Sequence, residues 1–326
     1  MGAAGRRATG LGRAAFKSFQ STGGVVQRGA GLGILLATIA VIAAKELRVK
    51  IRLAHSPDPD DAFMFYGLSS GGVASAPYEF EHILEDIQTL NEQAMRGEYE
   101  MTAISIHAYP YVADKYALTT CGSSMGDNYG PMVVTRTPVA LEALRGKTIA
   151  VPGLMTTAYL ALRLALGKDS FTPRVTMFDQ IPAEVAAGRV DAGLIIHEGQ
   201  LTYKSQGLQL VVDLGQWWMK RTGLPLPLGG NVIRRDLGPE HCREITRRLK
   251  DSIQFSLKHR EEAVKYALRF GRGLDQQLAD RFVGMYVNDW TLDYGPRGRE
   301  AVQRILAEGA AAGLVPAIDA IDFVSG

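Results

Sequence analysis

The stretch Asp191-Ala192-Gly193-Leu194-Ile195-Ile196-His197-Glu198 decides how this chain is read. A short, wholly apolar run of this kind reads as a strand buried on both faces, as in a parallel sheet. It stops at a histidine. In open α/β sheets ligands lie beyond the carboxyl ends of the strands, so His197 stands where a reacting group would stand. Imidazole is also the side chain whose ordinary pKa lets it exchange protons near neutral pH. The competing reading is a histidine satisfied within a βα loop.

Working outward, the chain alternates strands and helices from Leu47 onward. Leu47, Val49, Ile51 and Leu53 alternate with Arg48, Lys50 and Arg52 as a first strand. The Pro-broken loop Ser56-Pro57-Asp58-Pro59-Asp60-Asp61 follows, with Asp60 placed to cap a helix from Ala62 to about Ser69. Ile87, Leu90 and Ala94 share a helical face that Gly97 ends, and Met101–Ile106 is the next strand. Met132–Thr135 reads as a strand carrying the chain into a second domain. There, strands at 147–151, 174–178, 191–196 and 208–214 alternate with helices at 158–166 and 182–187, and Asn231–Arg234 reads as the return crossing. The last ninety or so residues read as helices alone, the first opened by Pro239.

Alternating strands and helices imply parallel sheets. One crossing out and one back imply two lobes around a cleft, the layout of an α/β, type II periplasmic-binding-protein-like fold with C-terminal helices. Residues 47–132 plus 233–326 would form one lobe and 133–232 the other, leaving 1–46 as an N-terminal extension. Strand ends and helix N-termini turned toward the cleft suit a small anionic ligand.

Composition narrows the function. The 326 residues are 46% hydrophobic, enough for a large core and, at about 150 residues per domain, about two domains. Residues 1–46 hold six basic side chains (Arg6, Arg7, Arg13, Lys17, Arg28, Lys45) against Glu46; removing these from 36 basic and 34 acidic residues leaves 30 and 33. A mildly acidic body argues against nucleic acid as a partner, which needs a clustered basic face. Cys121 and Cys242 have no paired spacing, so two buried free thiols are expected rather than a disulfide or a zinc site. At ~1.5 Å per residue a helix from Ala30 to Ala44 falls short of the ~30 Å hydrocarbon core. That segment is read as a dispensable extension, with an export signal or an interfacial anchor as alternatives; any membrane association would run through residues 30–44.

Four loops end strands and face the expected cleft. Three acids in Ser56–Asp61 invite a metal reading, but no second cluster of His or Asp at ligand spacing supports one. In Ser105-Ile106-His107, strand alternation puts Ser105 and His107 on one side, and no G-x-S-x-G elbow makes Ser105 a nucleophile. Thr156 and Thr157 open a helix whose free N–H groups make a carboxylate seat; a plain N-cap is compatible with that role. After His197-Glu198 no second histidine follows at zincin spacing. One unaccompanied imidazole suits proton abstraction and elimination better than hydrolysis. Trp217-Trp218 lines a pocket for a planar ligand or packs in the core.

Together, Ser56-Pro57-Asp58-Pro59-Asp60-Asp61-Ala62-Phe63-Met64-Phe65, Asp86-Ile87-Gln88-Thr89-Leu90-Asn91, Gly193–Glu198 and Trp217–Gly229 resemble the 1,4-dihydroxy-6-naphthoate synthase family, of the futalosine route to menaquinone. The likeness runs from about Leu47 to the C-terminus. It implies a cytoplasmic lyase without metal or organic cofactor that converts cyclic dehypoxanthinyl futalosine to 1,4-dihydroxy-6-naphthoate. By resemblance His197 is the base, and Asn91, Ser105, Thr156, Thr157 and Ala158 lie at the substrate. Some relatives carry Cys-Pro-Asn-Asp where this chain has Asp58–Asp61, which leaves the roles of those acids open. The alternatives are a solute-binding protein for a small carboxylate and the sister enzyme chorismate dehydratase.

Overall fold

The computed structural model describes residues 48–270 and 275–326. The basic stretch and the apolar run at 30–44 lie outside the described residues. Among the described residues no helix is long and apolar enough to cross a membrane.

The strands fall into two sheets. β1 (Val49–His55), β2 (Tyr78–Leu84), β3 (Met101–Ser105), β4 (Tyr116–Thr119) and β5 (Ser124–Gly126) join the first, and β6 (Met132–Thr135), β7 (Thr148–Val151), β8 (Thr172–Val175), β9 (Ala192–Ile195) and β10 (Gln209–Asp213) form the second. β11 (Leu226–Arg234) and the short β12 (Phe323–Val324) complete the first sheet. Its order is β12-β4-β11-β3-β1-β2, with β5 also paired to β11; the second runs β10-β6-β9-β7-β8.

The apolar run ahead of His197 is the middle strand of the second sheet. Every residue of β9 is buried. It pairs parallel to β7, with Ala150 opposite Gly193, and antiparallel to β6, with Val133 opposite Leu194. Gly193 is required by close packing: a Cβ there would lie 2.6 Å from the side chains of Ile181 and Val185 on the helix Ile181–Ala186. That contact presses the helix onto the strand, while the parallel register of β7 and β9 brings the ends of the two strands side by side.

Several expectations change in the structure. The sheets are mixed, because β6 and β11, the strands that follow each passage between sheets, run antiparallel to their neighbours. The return passage precedes Leu226 rather than lying at 231–234, since β11 belongs to the first sheet along its whole length. The C-terminal region is not all helix: β12 pairs with β4. The strand expected at 174–178 is Thr172–Val175, mostly exposed at the sheet edge.

The core does not divide with the sheets: its main apolar cluster includes Ile104, Leu118 and Val232 of the first and Val133, Ile149 and Leu194 of the second. This cluster joins β3, β4 and β11 to the helix Thr157–Leu166 and to the C-terminal helix Gly295–Ala311. Another packs β1 against the helices Pro239–Lys258 and Arg260–Ala267. Trp218 is fully buried in the first cluster and its indole N–H donates to the Pro225 carbonyl at 3.1 Å. Trp218 is thus core, and Trp217 packs half-buried against the same cluster. Both cysteines are free and buried, and burial pushes the Cys121 thiol up to about 12.

Candidate active site

Parallel strands deliver their following loops to one edge of a sheet, and here four such edges meet. β1 and β3 are parallel neighbours in the first sheet, as β7 and β9 are in the second. Their ends lead into Ser56–Asp61, Ser105, Thr156–Ala158 and His197, and all four segments line a single cavity of about 740 Å³, counting its open mouth.

His197 sits in the turn after β9 with φ of 57°, a left-handed conformation in a non-glycine residue. That conformation costs about 1–2 kcal/mol and is found where the surroundings hold a residue to a task. The edge of its ring meets Phe178, with centroids 4.5 Å apart. Its Nδ1 lies 3.2 Å from Asp58 Oδ2, with the histidine side chain 16% exposed and the aspartate 4%. An Nδ1–H donated to Asp58 leaves Nε2 as the acceptor, which is the arrangement a base needs.

The acidic loop is fully structured. Asp58, not Asp60, is the N-cap residue of the helix Pro59–Met64, because the prolines at 57 and 59 fix the chain one turn earlier. Ser56 Oγ donates to Asp58 Oδ2, and Ser56 N donates to Asp61 Oδ2 at 2.8 Å. Asp60 lies inside the first turn and accepts from Ser124 Oγ at 3.4 Å. Burial, then the charge of Asp58, raises Asp60 to about 6, against a lowering by His197. Burial and Asp60 likewise raise Asp61 well above the usual carboxylate range. Among the described residues no three His, Cys, Asp or Glu side chains are grouped to hold a metal ion.

Ser105, Thr156, Thr157, Ala158 and His197 all face the cavity, whereas Asn91 stands behind its wall. Asn91 is fully buried; its Nδ2 donates to Ser105 Oγ at 3.1 Å and its Oδ1 accepts from Ser105 N at 2.8 Å. The expectation that Ser105 and His107 share a side fails, since β3 ends at Ser105 and Ile106–Tyr111 winds into a 3-10 turn. His107 instead turns to the second lobe: its N–H donates to Thr157 Oγ1 at 3.1 Å and its Nδ1 lies 3.1 Å from the Thr156 carbonyl. Burial lowers its pKa to about 4.

Thr156 is the N-cap of the helix Thr157–Leu166, and its Oγ1 accepts from Tyr159 N at 3.2 Å. Thr157 Oγ1 donates to the Leu228 carbonyl at 2.6 Å. The hydroxyls are therefore committed to structure. The N–H groups of Thr157 and Ala158, first in the helix and in the cavity wall, are left to meet a ligand. The two lobes also touch directly, where Gln88 Oε1 accepts from Met155 N at 3.0 Å.

The sequence reading did not single out Ser124, Gln200, Asn231, Phe282 and Tyr286, which also line the cavity. Tyr286 Oη donates to Gln200 Oε1 at 2.8 Å across a separation of 86 residues. No local pattern announces such a pair.

A two-lobed α/β fold that closes strand-end loops, an imidazole and a helix N-terminus around one cavity defines a binding-protein-like enzyme. The chain belongs to the menaquinone biosynthesis family, whose model matches residues 51–311. It is 44% identical over 264 residues to a 1,4-dihydroxy-6-naphthoate synthase of Thermus thermophilus, covering 81% of this chain and 95% of that one. It is 38% identical over 283 residues to the synthase of Streptomyces coelicolor, covering 84% and 98%. A crystal structure of an Archaeoglobus fulgidus protein is similar at 48% identity and a TM-score of 0.78, covering 82% of this chain and 98% of that one. The alkanesulfonate-binding protein of Xanthomonas axonopodis, 13% identical with a TM-score of 0.62 and coverage of 82% and 94%, shares the fold alone.

Proposed function

We propose that this protein converts cyclic dehypoxanthinyl futalosine to 1,4-dihydroxy-6-naphthoate, with His197 as the base. The observation that carries this reading is the cavity shared by the His197–Asp58 pair and the first N–H groups of the helix Thr157–Leu166. The substrate carboxylate would sit on the Thr157 and Ala158 amides, where the helix N-terminus favours negative charge. Ser105, held by Asn91, would orient it from the first lobe. His197 Nε2 would then take a proton, and the electron pair left behind would form a double bond as the sugar-derived fragment departs. Asp58 would hold the ring and stabilise the imidazolium.

The decisive experiment supplies the purified protein with the cyclic futalosine derivative and, separately, with chorismate. Formation of the naphthoate from the first alone supports the reading. Dehydration of chorismate would assign the protein to the sister activity instead, and retention of either compound unchanged would favour a binding protein.

A further inference from the structure

Asn231 is 1% exposed and lines the cavity. Its Nδ2 donates to the Gly122 carbonyl at 2.8 Å, which fixes which way the amide faces, since an oxygen there would oppose an oxygen. Its Oδ1 is buried and has no hydrogen-bond partner. A buried acceptor left unsatisfied keeps the full cost of its lost hydration, so an unpaired one in a cavity wall points to a ligand that supplies the donor.

The register of the first sheet shows what surrounds that acceptor. Across three strands Ser124, Gly229 and Ser105 lie directly opposite one another, and Asn231 lies opposite Ala103. Opposite residues project to the same face, and so do residues two apart along a strand. Asn231, Gly229 and the two serines therefore share one floor, with strands ~4.8 Å apart and residues two apart separated by ~7 Å. Gly229 keeps that floor open: a Cβ there would find nothing nearer than the Ile104 carbonyl at 3.4 Å. The helix N-terminus of Thr157, by contrast, offers only donors. The two walls are thus complementary to different ends of one molecule.

Resting on the function proposed above, we propose that Asn231 Oδ1 accepts a hydrogen bond from a hydroxyl of the sugar-derived part of the substrate, seated over Gly229 beside Ser124. The carboxylate end lies on the opposite wall. This fixes the orientation of the substrate in the cleft, because a carboxylate brings acceptors alone and cannot satisfy Asn231.

The product tests this directly, since 1,4-dihydroxy-6-naphthoate keeps the carboxylate and lacks the sugar-derived fragment. Asn231→Ala is made in a His197→Asn background, which prevents turnover, and binding of substrate and product is measured by calorimetry alongside a thermal melt. Substrate affinity is expected to fall at least tenfold, with product affinity changed less than threefold. Equal loss of both, or loss of neither, overturns the assignment. Should Asn231→Ala not melt cooperatively, substrate analogues each lacking one sugar hydroxyl are titrated against the His197→Asn protein. One of them must then bind at least tenfold more weakly, and if none does the assignment falls. A protein without substitutions that neither turns over the cyclic futalosine derivative nor binds the naphthoate would remove the functional reading, and this assignment with it.

Discussion

His197 Nδ1 lies 3.2 Å from Asp58 Oδ2, and the two side chains follow strands of different sheets, β9 and β1. The imidazole is therefore fixed by one lobe and aimed by the other. Its removal is predicted to separate binding from chemistry. His197→Ala or His197→Asn should retain substrate affinity within a few-fold, while turnover falls by at least 10²–10⁴-fold, the range for a positioned base. Binding by calorimetry and product formation by absorbance check this, and near-normal turnover would take His197 out of the mechanism.

Asp58→Asn tests the aiming rather than the base. The amide keeps the shape but can present its N–H₂ to Nδ1, which favours the tautomer with the proton on Nε2. A fall in kcat of about 10²-fold or more is expected with KM little altered. A rise in KM alone would make Asp58 a binding residue instead.

Asn91 shows how much a buried polar pair contributes. In Asn91→Ala the Ser105 N–H loses its acceptor, costing about 1–3 kcal/mol, and Ser105 loses its anchor to the helix Ile87–Met95. At about 2–4 °C per kcal/mol for a chain of 150–250 residues, and less for a longer one, Tm should fall by a few degrees, with substrate KM rising as well. Asn91→Asp keeps the acceptor and should lose less. Differential scanning calorimetry of the two variants ranks them.

These residues also mark where the sequence was legible. The strand ending at His197 and the helix opening at Thr156–Thr157 declared themselves locally, one by an apolar run stopped by a polar residue, the other by a capping threonine. The fold class followed from the β–α alternation. What stayed hidden was tertiary. Asp58, Ser124, Asn231 and Gln200 acquire meaning only through partners 64 to 139 positions away in the chain or through sheet register. Asp60 looked like a cap because local propensity cannot weigh the prolines on both sides of Asp58. The antiparallel course of β6 and β11 could not be read from apolar runs that look alike in either direction.

Asp60 and Asp61 give the stability a pH dependence with a definite sign. Asp60 titrates at about 6 in the folded protein against an ordinary 3.8, because burial and Asp58 disfavour its charge. A group with a raised folded-state pKa contributes its full stabilisation below the unfolded value and loses it as pH rises through the folded one. That contribution should therefore be complete below about pH 4 and lost by about pH 6–7. Asp60→Asn removes the titration. Its Tm is expected to exceed that of the unsubstituted protein at pH 8, with the gap narrowing as pH falls toward 4. A gap independent of pH would show that Asp60 carries no such penalty.

Two adjacent glycines of β11 should respond to alanine in opposite ways. A Cβ on Gly229 meets the Ile104 carbonyl at 3.4 Å and otherwise enters the cavity, whereas one on Gly230 would lie 2.3 Å from the Oη of Tyr294, which is fully buried. Gly229→Ala should melt within a degree or two of the unsubstituted protein yet raise substrate KM severalfold by filling the cleft floor. Gly230→Ala must displace a buried ring, and overpacking of that kind costs about 1–3 kcal/mol, so its Tm should drop. Because neighbouring residues of a strand face opposite ways, an early melt for Gly229→Ala with an unaltered KM would reverse the face of β11 on which the substrate lies.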